Sequence, residues 1–408
     1  MPSINPTRFL DDLHTLRGFG RHDPGVVRPA LSAADMDARR WLRRRMQEAG
    51  LEAAIDGVGN VLGRSRQPGP ALLIGSHSDT QPRGGWLDGA FGVICGLEVA
   101  RALAEDASTR TQAVDAIAWI DEEGAYLSCL GSLAFCGLLD ESDIDAAANQ
   151  SGETLRDALR RNDLNGVAAR AEPGRYLGYL EAHIEQGGYL EEAQQQVGVV
   201  TAIVGSRNFT VRFSGQQNHA GTTPMIKRRD AGRAAVEFAY RIDQLYQQNT
   251  GPRTVWTIGQ ISFDPGAPSI IPGRAELHLQ FRDPELSRLE AFEQIARQLV
   301  AEMNSAGPVT VSIEPAGAPI APADMDPVLQ EHLARAAAQT VPERWQRMPS
   351  AAIHDAMFLA RVMPAGMLFV PSINGISHDF AEDTAEDDLV AGCQVLANAA
   401  ASILAQKA

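Results

Sequence analysis

Three histidines in this chain end or follow strand-like runs, and acids accompany each of them. His77 and Asp79 come directly after the apolar run 71–74, and Asp88 follows on a loop carrying Gly84, Gly85 and Gly89. Imidazole nitrogen and carboxylate oxygen are the donor types of zinc and related divalent ions, and glycines let backbone approach an ion closely. Residues two apart on extended chain point the same way, so Asp79 is expected to hold the His77 ring through its carboxylate. A second apolar run, 113–120, ends in Asp121-Glu122-Glu123-Gly124. Adjacent carboxylates at a strand end suit a division of labour in which one binds metal and its neighbour moves protons. His183 and Glu185 lie in YLEAHIEQ, residues 179–186, and His378 follows the run 366–370. Taken singly, these residues have plainer uses: a lone histidine after a strand is commonly hydrogen-bonded, and an acidic row is commonly a solvated turn.

For such residues to act together, the ends of several strands must lie side by side. Open α/β sheets gather ligands at the carboxyl ends of their strands, and the surrounding sequence fits that fold class. Residues 33–49 read as a helix, with Ser32 and Asp35 as its capping pair, Trp41, Leu42, Met46 and Ala49 as its apolar stripe, and Gly50 as its stop. Short strands at 51–55 and 60–64 lead into the run at 71, and helices are expected at 89–104 and 131–139, with a polar helical connection over 141–170. A further strand over 197–204 closes at Gly205. From 206 to 319 the order is strand, helix, strand, strand, helix, strand, the ferredoxin-like pattern, with Gly205 and PAGAPIAP (315–322) as hinges. This predicts an α/β unit formed by 1–205 and 320–408 and a self-contained insert, 206–319. The insert carries NHAGTTPM (218–225), Ser269 and Arg282; His219 and Arg282 could serve an anionic, carbonyl-containing ligand or simply be surface residues.

Composition narrows the partners. With 408 residues, 44% of them hydrophobic and 21% charged, the chain is an ordinary globular one, too long for a single core. A formal net charge of −15 argues against nucleic acid and acidic membranes and leaves room for a small anionic substrate met by a local arginine. The four cysteines show no CxxC spacing, no signal peptide is visible at the start, and no run of about 18 uninterrupted apolar residues occurs, so a cytoplasmic protein is expected.

Together the segments GSHSDTQPRGGWLDGAFGV, DEEG, EAHIEQG, NHAGTTPM, IIPG with FRD, and FVPSINGISH resemble the signature segments of the hydantoinase/carbamoylase amidase branch of the M20 di-zinc peptidase clan. The resemblance runs through nearly the whole chain, in order. It implies a zinc-peptidase-like catalytic domain with a mixed, mostly parallel sheet, and an inserted ferredoxin-like dimerisation or lid domain. It implies hydrolysis of a linear ureido or amide C–N bond, as in an N-carbamoyl amino acid, with allantoate or ureidoglycolate-type substrates, or a dipeptidase or aminoacylase of the same clan, as alternatives. The metal ligands fall on His77, Asp88, Glu123, His183 and His378, with Asp88 bridging two divalent ions, zinc first and manganese, cobalt or nickel also suited. The catalytic base falls on Glu122, and Asp79 on the carboxylate beside His77. Substrate contacts fall on Gln186, His219, Ser269, Arg282 and His354, with His219 reaching the site of the partner subunit in a homodimer. A non-catalytic scaffold of this fold would have no need of Glu122. The chain departs from the common pattern at Ser269, where Asn is usual, at Gln280, where Asp is usual, in a shortened loop at 125–127, and at 350–355, so the substrate carries over less securely than the chemistry.

Overall fold

The computed structural model describes residues 1–406, which fall into two compact units. One comprises Met1–Thr201, Asp324–Met348 and the chain from Ala352 onward; the other comprises Ala202–Ala323 with Pro349–Ala351. Along the chain, α1 (Pro6–Gly18) and α2 (Ala33–Glu48) precede β1 (Glu52–Ile55), β2 (Val61–Arg64) and β3 (Ala71–His77). Then come α3 (Ala90–Glu105), β4 (Ala113–Trp119), α4 (Leu130–Cys136), β5 (Tyr176–Ile184) and β6 (Val197–Ile203). The second unit supplies β7 (Gly205–Ser214), α5 (Ala231–Gln247), β8 (Val255–Asp264), β9 (Arg274–Asp283), α6 (Leu286–Ala306) and β10 (Thr310–Pro315). The first unit resumes with α7 (Pro327–Thr340), β11 (Ala365–Val370) and α8 (Glu386–Ala405).

Continuous apolar runs make buried strands, and β3, β4 and β11 are buried at every residue. Across the sheet the order is β6, β11, β5, β3, β4, β2, β1. The four central strands, β11, β5, β3 and β4, are parallel, while β6 and the β2–β1 hairpin pair antiparallel at the flanks. The sheet is therefore mixed, and the mostly parallel character expected of it holds only for its centre. Helix α3 presses on β3 and β5 so closely that a Cβ on Gly92 would lie 2.2 Å from the Ala182 carbonyl oxygen, and one on Gly96 2.4 Å from that of Ile74. Helix α8 is long and apolar enough to cross a membrane, but 67% of its most apolar 18-residue stretch is buried, and it packs against α3 and α7. Residues 141–170 are not one helical connection. They form helices Glu141–Ala146 and Leu155–Arg161, separated where Asn149 Oδ1 accepts from the N–H groups of Ser151 and Glu153 and Thr154 starts a fresh N-cap.

In the second unit β8, β9, β7 and β10 form an antiparallel sheet in that order, the ferredoxin-like arrangement. Burial alternates along β9, so one face takes the apolar sides of α5 and α6; Tyr246 stacks on Phe292 there with centroids 4.0 Å apart. Helix α5 starts at Ala231, because the Asp230 side chain accepts from Arg233 N at 3.0 Å and fixes the N-cap.

Candidate metal centre

Parallel strands end on the same edge of a sheet, and this is what brings four distant segments together. His77 is the last residue of β3, and His183 is the next to last of β5; Glu122 and Glu123 follow β4, and His378 follows β11. Asp88 arrives on the loop before α3, where Gly89 has a left-handed φ of 65° and a Cβ would lie 2.5 Å from the His77 ring. Glycine alone meets both demands.

Two clusters of donor atoms result, each drawn together within 4.8 Å: His77 with Asp88 and His183, and Asp88 with Glu123 and His378. Asp88 Oδ1 lies 3.5 Å from His77 Nε2 and 3.1 Å from His183 Nε2, while Oδ2 lies 3.2 Å from His378 Nε2. His378 Nε2 is 3.7 Å from Glu123 Oε2. The ring of His77 is held differently from the sequence expectation. Its Nδ1 sits 3.1 Å from the main-chain oxygen of Asp79, whereas the Asp79 carboxylate is 3.9 Å away and accepts instead from Glu123 N at 3.3 Å. Asp79 thus holds the ring by its carbonyl and the acidic turn by its side chain. His183 Nδ1 likewise lies 2.8 Å from Ile184 O. A carbonyl can only accept, so in both rings Nδ1 carries the proton and Nε2 faces the centre, where that of His183 also accepts from Gly89 N at 3.2 Å.

The charges state the same need. Burial, then repulsion from Glu123, holds Glu122 well above the usual carboxylate range despite nearby His77. Burial and Asp88 push Glu123 up to about 7. His378 rises to about 9 on its contact with Asp88, and His77 rises because Asp88 and Glu122 outweigh the cost of burying it. Despite burial, contacts with His183, His378 and His77 hold Asp88 well below the usual carboxylate range, while the two glutamates crowded beside it are drawn toward neutrality, as in a buried site that wants more positive charge, and the imidazole and carboxylate donors are of the kind that hold zinc, manganese, cobalt or nickel.

Glu122 stands beside the first cluster, Oε2 3.8 Å from His77 Nε2, and the Cys129 thiol is 3.8 Å from its Oε1. Gln186 donates from Nε2 to Asp88 Oδ2 at 3.0 Å, with its buried Oε1 unpartnered. The buried ring of His354 meets that of His183 edge-on, centroids 4.5 Å apart, and burial followed by His183 keeps it well below the usual imidazole range. Glu185 does not join the centre: its carboxylate accepts from Tyr189 N and Leu190 N and caps the helix Tyr189–Glu192.

His219, Ser269 and Arg282 belong to the second unit. There Asn218–His219 pairs with Ile270–Ile271, and Ala220 N donates to Ser269 O at 3.0 Å, so His219 and Ser269 share one corner. The exposed His219 accepts at Nδ1 from Gly221 N and Thr222 N, at 3.0 and 3.1 Å, which leaves Nε2 as a donor. Arg282 donates to the neutral oxygens of Gln280 and Ala351, and burial lowers its pKa.

Several supporting residues received no role in the sequence reading, although Asp121 and Glu181 lie within the segments quoted there. Asp121 accepts from the N–H groups of Ala125, Tyr126 and Leu127 at 2.6, 3.0 and 2.8 Å and closes the shortened loop. Glu181, two residues before His183, accepts from Ser76 Oγ at 2.6 Å and Ala356 N at 3.0 Å. Glu382 lies four residues beyond His378, a spacing that could have drawn attention to it.

Compared with known proteins, residues 73–402 match the model of peptidase family M20/M25/M40. The N-carbamoyl-L-amino-acid amidohydrolase of Paenarthrobacter aurescens is 33% identical, over 95% of this chain and 96% of its own. The allantoate amidohydrolase of Bacillus subtilis is also 33% identical, over 95% of each. The crystal structure of an amidase of the hydantoinase/carbamoylase family from Burkholderia phymatum superposes with a TM-score of 0.94 at 53% identity, covering 100% of this chain and 99% of that one.

Proposed function

The chain belongs to peptidase family M20/M25/M40, and from that membership we propose that it is a metal-dependent amidohydrolase cleaving the C–N bond of a linear ureido acid, foremost an N-carbamoyl amino acid. The observation that carries this reading is Asp88, whose two oxygens face two separate histidine groups with Glu122 alongside. His77, Asp88 and His183 would hold one divalent ion, and Asp88, Glu123 and His378 a second. Zinc suits these mixed donors, as do manganese, cobalt and nickel; bound there, the ions polarise a carbonyl and make water more acidic.

The remaining work falls to the chain itself. Glu122, placed beside the first cluster, takes a proton from the attacking water and returns it to the leaving nitrogen. Asp79 keeps the His77 ring turned so that Nε2 faces the site. His219, supplied by the partner subunit of a homodimer, directs its Nε2–H at the oxygen on which negative charge develops. The Arg282 guanidinium forks onto the substrate carboxylate, with Gln186, Ser269 and His354 lining the rest of the substrate. The second unit is the dimerisation and lid domain. Its open sheet edge, β8, with Ile261 and Phe263 exposed, and its α5 face, with Val236 and Tyr240 exposed, offer apolar surface to a second copy. Four free cysteines fit a reducing cytoplasm.

A panel of N-carbamoyl-α-amino acids, β-ureidopropionate and allantoate, assayed for ammonia with Zn²⁺ or Mn²⁺ supplied, tests the reading. Ammonia should be released from at least one N-carbamoyl amino acid. Release only from allantoate would move the substrate to that ureido acid. No ammonia from any of them, with free amino acid released from acyl amino acids or dipeptides, would assign a dipeptidase or aminoacylase instead.

A further inference from the structure

The segments that carry Asp88 and His378 are far apart in sequence and are laced together through one buried acid. Glu382, 1% exposed, accepts on Oε1 from Leu87 N at 3.2 Å and Asp88 N at 3.0 Å, and on Oε2 from the Ser377 hydroxyl at 2.9 Å. Beside it Trp86 Nε1 donates to Asp383 Oδ1 at 3.2 Å. Gly85 leaves the space that this requires, since a Cβ there would fall 1.9 Å from Glu382 Oε1. Each oxygen of one carboxylate therefore grips a different ligand-bearing loop.

The two clusters do not depend on this grip equally. His77 and His183 stand on central strands, each with Nδ1 fastened within its own segment. His378 stands outside any strand, with its side chain 50% exposed and a left-handed φ of 55°. We propose that Glu382 is a positioning residue that sets the approach of His378 to Asp88, and thereby governs occupancy of the Asp88–Glu123–His378 site and not of the His77–Asp88–His183 site. The proposal rests on the two-ion reading above. It makes a specific demand on chemistry: Gln at this position can still accept both N–H groups on its oxygen and donate from its amide to the Ser377 hydroxyl, whereas Ala can do neither.

The test is metal content per chain after loading with Zn²⁺, followed by release against a graded chelator. The wild-type protein and Glu382→Gln should each hold two ions. Glu382→Ala should keep one ion with wild-type resistance and give up the other at a chelator concentration at least about tenfold lower, the scale on which such supports alter affinity. Gly85→Ala, which displaces the carboxylate without removing it, should behave like Glu382→Ala and carries the comparison if the latter does not fold. Retention of both ions at wild-type strength in Glu382→Ala and Gly85→Ala, or loss of both ions together, would overturn the proposal. A wild-type protein that binds a single ion would defeat the two-ion reading itself, before any variant is compared.

Discussion

Adjacent in sequence, Glu122 and Glu123 turn in different directions, and the proposed division of work between them rests on that. Glu123 Oε2 turns to His378 and is steadied by Gln81 Nε2 at 2.6 Å, while Glu122 turns to His77 and meets the Cys129 thiol as a weak donor. Glu122→Gln should therefore keep near-full metal content while kcat falls by at least ~100-fold, the usual scale for a general base. Metal lost in parallel with activity would exchange the two roles. Arg282 permits an equally sharp test, because its partners here are neutral and, among the described residues, its fork is committed to no carboxylate. Arg282→Lys should raise KM for a carboxylate substrate by tenfold or more, a charge-assisted hydrogen bond of about 1.5–3 kcal/mol setting the scale. An unchanged KM would move the carboxylate anchor elsewhere. What sequence could disclose at this scale was residue type and position relative to a strand end. The role of Asp79 was illegible, because a main-chain carbonyl rather than a side chain holds the His77 ring, and carbonyls leave no mark in a sequence.

Secondary elements were read best where an apolar run met a clear stop. Strand β3 and helix α2 with its Ser32 cap lie within a few residues of their expected bounds, and the six main elements of the second unit follow the expected order. Helix α1 escaped notice, since its N-cap is Asn5 followed by Pro6 and its buried side, Phe9, Leu13 and Leu16, is thin. The strand Trp345–Ser350 escaped too, because WQRMPS has neither alternation nor an apolar run. Register between elements leaves even less trace. Nothing in the run AFGVICGLEV announces that Gly96 must let α3 lie on the backbone of β3. Gly96→Ala should cost about 1–3 kcal/mol by overpacking, read as a lower midpoint in chemical denaturation. Unaltered stability would mean that the helix can slide off the strand freely.

Viewed entire, the molecule divides its residues between two units, and the complementation of damaged copies tests the proposal that a homodimer shares its sites between chains. His219→Ala and Glu122→Gln, each inactive alone, should regain part of the activity when co-refolded, because a mixed dimer holds one composite site with both groups intact. No recovery in a verified heterodimer would confine His219 to its own chain. The sheet order has another consequence, one that belongs to synthesis. Strand β11, inserted between β5 and β6, is made roughly 160 residues after β6, and α8, which covers that sheet, comes last of all. At roughly 5–20 residues per second a ribosome takes on the order of ten to thirty seconds to deliver β11. For that interval the ferredoxin-like sheet, whose last strand is β10, can form, while β5 and β6 wait with unsatisfied edges. The nascent chain thus spends its longest vulnerable period with the unit that bears the candidate metal centre open, and a chaperone that helps this protein has that unit to shield.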